Sequence, residues 1–454
     1  MLSPADQALV RRDPAIRGLA ILLDPEAFAA ALERAFPGMQ IHFAHCRFLR
    51  YKPGLICVAT YQIDVGSGYL ELQAEAYAQS RLNKVERALR HAHPGGPFGA
   101  SRVHLTEAAI LIYLFPDDPD LPALAAVNSD LLRRLLPDRP DLARAPRVTL
   151  RYKPLRRYVA RLDGQEGTAL LKLYSAAGYD AAVRGMLAFE PSGSLGLAPK
   201  IALSDADRAI VLGWVEGAPL RERLVTRYFD RTGLVATGCA IAHVHRQAGS
   251  GLQRVSRTMH VTALVNLARS LSSVSPELSV RIGHVASELA ERLMALTSSS
   301  MRPIHGDFDA SQVVLGDASV TLIDFDRAQL GDPATDLGNF VAYLEYDALH
   351  GWIEQDSITH IVEALLAGYA SASTDVPDFA RIRLDAALAL LKLAPHPFRQ
   401  RHPAWAEITE RIVARVEALL CLRATMRSCR ARLGGVSLGA DAATAPTAEM
   451  RSAD

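Results

Sequence analysis

Apolar residues along the chain follow two spacings. Up to about residue 216 they alternate with polar ones in short runs broken by Gly- and Pro-containing turns, and beyond it Ala, Leu, Val and Ile recur every three to four positions. The first spacing predicts β-strands and the second predicts amphipathic helices.

The strand-like half repeats itself. Arg50-Tyr51-Lys52-Pro53 and Arg151-Tyr152-Lys153-Pro154 each open an alternating segment. The first is followed by apolar alternation over 57–64, a turn at Gly66-Ser67-Gly68 and a strand ending Ala74-Glu75-Ala76-Tyr77. The second is followed by 158–163, a turn at Gly164-Gln165-Glu166-Gly167 and a strand ending Leu171-Lys172-Leu173-Tyr174. Each block predicts a three-stranded antiparallel meander. A helix-like segment then follows in both (79–90 and 178–189), and after it an apolar strand (110–116 and 210–216). The shared order predicts an internal duplication. Aligning the strand ends places Glu75 where the second copy has Lys172.

In the helical half the periodic segments are 234–246, 263–271, 281–298, 358–372, 379–393 and 405–423, interrupted by a strand-rich insert at 304–325. After about Arg430 the apolar period stops, which predicts a disordered tail over 431–454. The expected organisation is α+β: a sheet domain over 1–146, a second sheet lobe over 147–216 and a mostly helical lobe over 217–430.

At 454 residues the chain is long enough for two to four folding units of roughly 100–200 residues each. A net charge of +1 argues against a surface built for nucleic acid or anionic membrane. No apolar run reaches the roughly 18 residues of a membrane span, and the N-terminal segment has no signal-peptide core. The five cysteines (Cys46, Cys57, Cys239, Cys421, Cys429) form no CxxC pair, so free thiols in the cytoplasm are expected and a zinc site is not. His243 and His245 are two apart in a helical segment and point to opposite sides, so they cannot chelate together.

The densest chemistry lies in His305-Gly306-Asp307-Phe308-Asp309-Ala310-Ser311-Gln312, followed by Val313-Val314-Leu315, a small-residue turn, and Val320-Thr321-Leu322-Ile323-Asp324. The two apolar triplets predict a β-hairpin. With its turn centred near Ala318, Gln312 and Asp324 face each other at the open end, about 5 Å apart between Cβ atoms. An amide oxygen and a carboxylate so placed suit one Mg²⁺ ion, which prefers hard oxygen ligands. Asp307, on the loop before the hairpin, is placed to accept the proton of a substrate hydroxyl, the division of labour that phosphoryl transfer requires. His305 reads as a buried hydrogen-bonding organiser of that loop, and Asp336 as a helix cap and loop brace.

These residues resemble the aminoglycoside phosphotransferase and choline kinase family, small-molecule relatives of the protein kinases. The family's His-x-Asp loop, followed by four residues and then Asn, is similar to His305, Asp307 and Gln312. Its second metal aspartate is similar to Asp324, and its Gly-Asp-Pro-x-x-Asp-Leu signature to Gly331-Asp332-Pro333-Ala334-Thr335-Asp336-Leu337. Gln312 in place of Asn is the departure, which keeps the amide oxygen on one more methylene.

The resemblance implies a bilobal kinase-like fold, with the first sheet domain as an extra, degenerate copy of the small lobe. It implies ATP and Mg²⁺ as cofactors and a small-molecule hydroxyl as acceptor, with Asp307 as base, Gln312 and Asp324 as metal ligands, and Lys172 bridging the α- and β-phosphates. Lys153, Arg156 and Arg157 stand where the family's phosphate-covering loop lies, and Trp214 and Glu216 in its adenine-facing hinge. No helix glutamate presents itself as a partner for Lys172. That gap and Gln312 support the rival reading of a pseudokinase, a nucleotide-binding or regulatory module. A metal-dependent hydrolase leaves Lys172 and the hinge without a role. Between Asp378 and Arg430 ten Arg and Lys face five Asp and Glu, so a neutral or anionic acceptor such as a sugar derivative is expected rather than a polycation.

Overall fold

A computed structural model gives the structure and describes residues 2–127, 130–226, 229–296, 301–316 and 319–421. The expected tail, Cys429 and the turn residues Asp317 and Ala318 lie outside the described residues.

The chain opens with three short helices, α1 (Pro4–Arg12), α2 (Leu19–Leu23) and α3 (Pro25–Ala35). Ser3 and Asp24 cap the first and third, each followed by proline at the first helical position, where a missing N–H costs nothing. Then come β1 (Phe43–Lys52), β2 (Ile56–Asp64), β3 (Tyr69–Tyr77), α4 (Asn83–Leu89), β4 (Arg102–Leu105) and β5 (Ile110–Leu114). The strands form one antiparallel sheet in the order β1-β2-β3-β5-β4. Leu9, Leu19, Leu22, Leu23, Phe28 and Leu32 cover one face, and Val85 of α4 packs on Tyr77, Leu111 and Tyr113 of the other. Coverage on both sides explains why β5 reads as an unbroken apolar run.

The next unit repeats this plan: α5 (Leu131–Leu135), α6 (Pro140–Ala143), β6 (Arg147–Lys153), β7 (Arg157–Gly164), β8 (Gly167–Tyr174), α7 (Ala176–Leu187), β9 (Leu195–Leu197), β10 (Lys200–Ser204) and β11 (Ala209–Gly213). Its sheet runs β6-β7-β8-β11-β10, the same order element for element. The agreement reaches single hydrogen bonds. The Tyr51 hydroxyl and the Gly54 N–H both donate to Asp13 Oδ2 at 2.8 Å, and the Tyr152 hydroxyl and the Leu155 N–H both donate to Asp118 Oδ2 at 2.9 Å. Gly54 and Leu155 share a left-handed φ of 64° and 61°, the geometry of the residue after proline in a type II turn. β4, β10 and the short helices preceding each sheet are elements that the sequence pattern did not reveal.

The remaining lobe contains β12 (Ala218–Pro219), α8 (Leu220–Val225), α9 (Arg231–Arg246), α10 (Arg257–Val274), α11 (Ser279–Ala295), β13 (Arg302–Ile304), β14 (Val313–Leu315), β15 (Val320–Leu322), β16 (Gln329–Gly331), α12 (Pro333–Leu349), α13 (Ser357–Ala372), α14 (Phe379–Leu393), α15 (His396–Arg399) and α16 (Trp405–Cys421). The helices fall where the periodicity puts them. Two details differ from expectation. The hairpin pairs Val313 with Leu322, so Gln312 stands opposite Ile323 and not Asp324. The cap of α12 is Asp332, which accepts from Ala334 N–H; Asp336 lies a turn further in. No described helix is long and apolar enough to cross a membrane.

A buried cluster fastens the N-terminal unit to the helical lobe, and Arg12 adds a hydrogen bond to the Val274 carbonyl at 3.0 Å. Arg401 donates to both oxygens of Asp6 at 3.0 and 2.9 Å and to the Leu23 carbonyl, while Trp405 Nε1 donates to Asp6 at 3.1 Å. Phe398 and Trp405 complete the core beneath β1 and α1. Removing one partner of a buried ion pair leaves an uncompensated charge. Asp6→Ala is therefore expected to loosen this docking by about 3 kcal/mol, read as faster amide hydrogen exchange confined to residues 4–77. Unchanged exchange there would assign the docking to the apolar contacts alone.

Candidate active site

The site is built around a lysine in the middle of a strand. Lys172 of β8 pairs with Val159 and Ile210 on either side, and its side chain leaves the sheet on the face covered by α7. Its Nζ lies 2.6 Å from Asp324 Oδ1 and 3.1 Å from Asp326 Oδ1. Burial alone would lower the Lys172 pKa; the two carboxylates outweigh it and raise it. Arg157, at the start of β7, donates to Asp324 Oδ1 at 2.9 Å and also bonds Asp326. The Tyr174 hydroxyl reaches both Asp326 oxygens at 3.0 Å. Burial pushes the Asp324 carboxyl up, but Lys172 and Arg157 hold it well below the usual carboxylate range.

Backbone geometry aims these carboxylates. Asp324 adopts a left-handed conformation (φ 64°), which Asp tolerates better than most residues and which takes it out of the hairpin ladder. Helix α7 seats on the following turn through Gly185, where an added Cβ would lie 1.9 Å from the Phe325 carbonyl oxygen. The expected helix glutamate does not exist, because α7 contains none; Asp326 serves Lys172 instead.

The His-Gly-Asp loop hangs from a second buried carboxylate. Asp336 is fully buried; its Oδ2 accepts from His305 N–H at 2.7 Å and pairs with His245 Nε2 at 3.0 Å, and its Oδ1 accepts from Gly306 N–H at 2.8 Å. The His305 ring bonds the Ile323 carbonyl through Nε2 at 2.8 Å, so Nε2 carries the hydrogen and the ring ties loop to hairpin. Gly306 (φ 81°) lets the loop pass the Arg327 carbonyl oxygen, which an added Cβ would approach to 2.1 Å.

Asp307 emerges from this frame with a 33% exposed carboxylate, 3.6 Å from Arg327. Asp309 is buried, caps the turn through Ser311 N–H, and is pushed up by burial. The Gln312 amide bonds Asp309 and Ser311, not Asp324.

Of the phosphate-covering residues, Lys153 lies in the cleft with its ammonium pushed down to about 8 by burial and by Arg151, Arg157 and Arg327. Arg156 is solvent-reachable, and Arg157 is turned onto the acids. Trp214 N–H donates to the Thr168 carbonyl at 3.0 Å with the Arg161 guanidinium 5.6 Å over its ring, and Glu216 beside it is exposed. Sequence reasoning missed Asp326, Tyr174, His245 and Arg327. Asp326 lies two residues after Asp324, on the turn that follows the hairpin, and not on the helix where a partner for Lys172 is expected.

Among the described residues there is no cluster of three or more His, Cys, Asp and Glu able to hold a metal. Asp324 and Asp326, with the Gln312 amide oxygen one register step away, are nonetheless hard oxygen donors of the type Mg²⁺ takes. They fit that ion by chemistry, with Arg157 and Lys172 supplying the compensating charge on the carboxylates.

A lysine from a sheet lobe on two acids of a helical lobe, beside a loop aspartate with a free carboxylate face, is an arrangement suited to group transfer onto a hydroxyl. Residues 155–384, just over half of the 454-residue chain, match the model of the phosphotransferase enzyme family (APH), and the chain belongs to that family. It is a phosphotransferase. No curated protein sequence matches it. Similar solved structures include a choline/ethanolamine kinase family protein from Mesorhizobium loti (16% identity over 68% of this chain and 98% of that one, TM-score 0.44). Others are aminoglycoside phosphotransferase APH(4)-Ia (12%, 65% and 98%, TM-score 0.46) and spectinomycin phosphotransferase APH(9)-Ia with ADP and spectinomycin (12%, 61% and 92%, TM-score 0.43).

Asp336→Ala leaves the His305 and Gly306 N–H donors buried without an acceptor, at about 1–3 kcal/mol each. It is expected to lower the melting temperature and to reduce turnover more than nucleotide affinity. Wild-type turnover in this variant would show that the loop holds its shape without the carboxylate.

Proposed function

We propose that the protein transfers the terminal phosphoryl group of ATP to a hydroxyl of a small molecule. The observation that carries this reading is the contrast between Asp307 and its neighbours. Asp324, Asp326, Asp309 and Asp336 are held by hydrogen bonds within the site, whereas Asp307 presents an open carboxylate face to the cleft.

Asp307 accepts the proton of the acceptor hydroxyl as its oxygen bonds to phosphorus and the bond from that phosphorus to ADP breaks. Lys172 holds the nucleotide phosphates from the sheet lobe, with Lys153 and Arg156 above them and the Trp214–Glu216 segment against the base. His305 positions the loop. Asp324 and Gln312 are the residues that would hold Mg²⁺, whose charge neutralises phosphate oxygens when bound. The four described cysteines are free thiols, which supports a reducing, cytoplasmic compartment, and the balanced net charge supports a small-molecule partner over nucleic acid.

Asp307→Asn removes only the proton acceptor and its charge. It is expected to leave ADP affinity within a fewfold of wild type while lowering turnover about 10²–10⁴-fold, measured as magnesium-dependent ATP consumption across a panel of hydroxylated metabolites. Turnover within a fewfold of wild type would exclude Asp307 as the base. A second reading, nucleotide binding without turnover, is favoured by Arg157 standing on Asp324. The same panel separates the two, because a pseudokinase binds ADP but consumes no ATP, whichever acceptor is offered.

We further read the N-terminal unit as a degenerate copy of the small lobe. The matched strand order, the paired Asp13 and Asp118 contacts and the shared left-handed turn residues support this. At the position of Lys172 stands Glu75, whose carboxyl burial pushes up and which bonds Gln73 and Tyr77. A carboxylate there repels phosphate. Titration of the full chain with ADP is expected to give one site, weakened by Lys172→Ala; a stoichiometry of two would overturn this assignment.

A further inference from the structure

One face of the second sheet carries Arg157, Lys172 and Tyr174 together. Arg157 pairs with Tyr174 and Val159 pairs with Lys172, and strand alternation puts 157 and 159 of β7 on the same face as 172 and 174 of β8. All three side chains meet the Asp324 and Asp326 carboxylates. Asp324 Oδ1 accepts from Lys172 Nζ at 2.6 Å and from Arg157 Nη1 at 2.9 Å, and Asp324 Oδ2 accepts from the same Arg157 nitrogen at 3.3 Å. Asp326 Oδ1 accepts from Lys172 at 3.1 Å and from Tyr174 at 3.0 Å, while Oδ2 accepts from Tyr174 at 3.0 Å and from Arg157. A carboxylate oxygen offers two lone pairs, so both Asp326 oxygens and Asp324 Oδ1 are filled. Asp324 Oδ2 has Arg157 as its one donor among the described residues.

A metal ion on Asp324 therefore needs a donor to leave. Mg²⁺ takes its oxygen ligands at about 2.0–2.1 Å, and a guanidinium nitrogen hydrogen-bonded to the same carboxylate is a second cation at the same place, where the two repel. The charge count points the same way. Two carboxylates stand against Lys172 and Arg157, and a divalent ion added to that neutral cluster leaves it with two positive charges too many.

The fold singles out Arg157 as the donor that leaves. Lys172 rises from mid-strand between β7 and β11 with its side chain 7% exposed, and Tyr174 is buried and neutral. Arg157 instead opens β7 beside the turn, and its side chain is 16% exposed. Among the described residues every hydrogen bond of its side chain runs through Nη1, so Nε and Nη2 anchor it to nothing. Lys153 stands directly opposite on β6, and like charges so placed destabilise each other.

We propose that Arg157 is an internal counter-ion that keeps the metal's place on Asp324, so that guanidinium and Mg²⁺ occupy this carboxylate in turn and not together. This rests on the assignment of Asp324 to Mg²⁺ made above and adds the residue that governs when the site fills. In the metal-free protein Arg157 masks Asp324 Oδ2 and clips the start of β7 to the helical lobe. Its withdrawal bares that oxygen while Lys172 keeps its hold on Oδ1, so the two lobes stay in register. The contact of Arg157 with Asp324 is then a reversible mask and not the mark of a site that has lost its metal.

The test reads metal binding, independent of turnover. Nucleotide-free full-length protein is titrated with Mn²⁺, the free ion being followed by its paramagnetic resonance, in wild type, Arg157→Gln, Arg161→Gln and the double variant Arg157→Gln/Asp324→Asn. Arg157→Gln is expected to bind Mn²⁺ about tenfold more tightly than wild type. Arg161→Gln removes an equal charge from the same strand and is expected to match wild type, and the double variant is expected to lose the gain. Equal affinity in wild type and Arg157→Gln would overturn the proposal, as would an equal gain in Arg161→Gln, a gain that survives Asp324→Asn, or no Mn²⁺ binding by any variant. Wild type gives a reading that depends on no variant's folding: with ¹⁵N-labelled arginine, one guanidinium protected from solvent exchange is expected to lose its protection as Mg²⁺ is added. An unchanged set of protected guanidiniums at saturating Mg²⁺ would overturn the exchange. Equal Mn²⁺ affinities alongside acceptor-dependent ATP consumption would sink this inference and leave the phosphotransferase reading standing. An Arg157-dependent Mn²⁺ site without ATP consumption would do the reverse.

Discussion

A buried ammonium in the middle of a β-sheet is the constraint on which the rest of the active lobe depends. Lys172 is only 7% exposed at its side chain, and a charge that deep is tolerated only when paired and hydrogen-bonded. Both partners, Asp324 and Asp326, belong to the helical lobe. The two lobes are therefore registered by an ion pair that neither can satisfy alone. The left-handed backbone at Asp324, the contact of Gly185 with Phe325 and the Tyr174 hydroxyl all serve to deliver those carboxylates to one lysine. Arg157 balances the count at two cations for two carboxylates. Any anion that competes for these cations would act on the same cluster that registers the two lobes.

Asp336 does for the loop what Asp324 does for the lobes. One buried carboxylate takes two backbone N–H groups and a histidine, which fixes His305 and Gly306 and leaves Asp307 as the loop's outward acid. The histidine it uses, His245, is itself held by Tyr369 from α13 at 2.9 Å. The loop is thus braced against the core of the helical lobe, the preorganisation that positioning-dominated catalysis requires. Reading Asp336 as a helix cap captured its bracing of the loop and missed its position, because capping falls to Asp332, one residue before the helix.

The long amphipathic helices and the two meanders were legible because periodicity is the strongest signal in a sequence, and the paired Arg-Tyr-Lys-Pro motifs marked equivalent turns. The short helices α1 to α3 and the four- and five-residue strands β4 and β10 gave too few periods to stand out. The hairpin register slipped by one residue because it was centred on Ala318. In the structure Gly316 N–H bonds the Ser319 carbonyl, which puts the pairing axis between 317 and 318 and sets Gln312 opposite Ile323. The left-handed turn at Asp324 then reorients a carboxylate that ladder geometry alone would have placed elsewhere, and no sequence rule signals such a turn at a non-glycine residue. Contacts separated by more than 150 residues, such as Arg157 with Asp324, lie beyond any local pattern.

Comparison of the two sheets separates what folding requires from what chemistry requires. The tyrosine hydroxyl and turn N–H on a shared aspartate oxygen, the left-handed residue after proline, and the helix over one face recur in both, because each satisfies a buried polar group or covers apolar surface. The differences fall at the charged positions. Where β8 carries Lys172, β3 carries Glu75; where β7 begins with Arg157, β2 begins with Ile56. The N-terminal unit joins the helical lobe instead through Asp6, Arg401 and Trp405, with Arg12 donating to the Val274 carbonyl at 3.0 Å. Its inner row, Arg50-Val58-Glu75 against Arg151-Val159-Lys172, ends in an arginine in both sheets. Where the second sheet continues that row with a lysine held by Asp324 and Asp326, the first continues it with a glutamate held by Gln73 and Tyr77, so the two rows differ at this one position, where the charge is reversed.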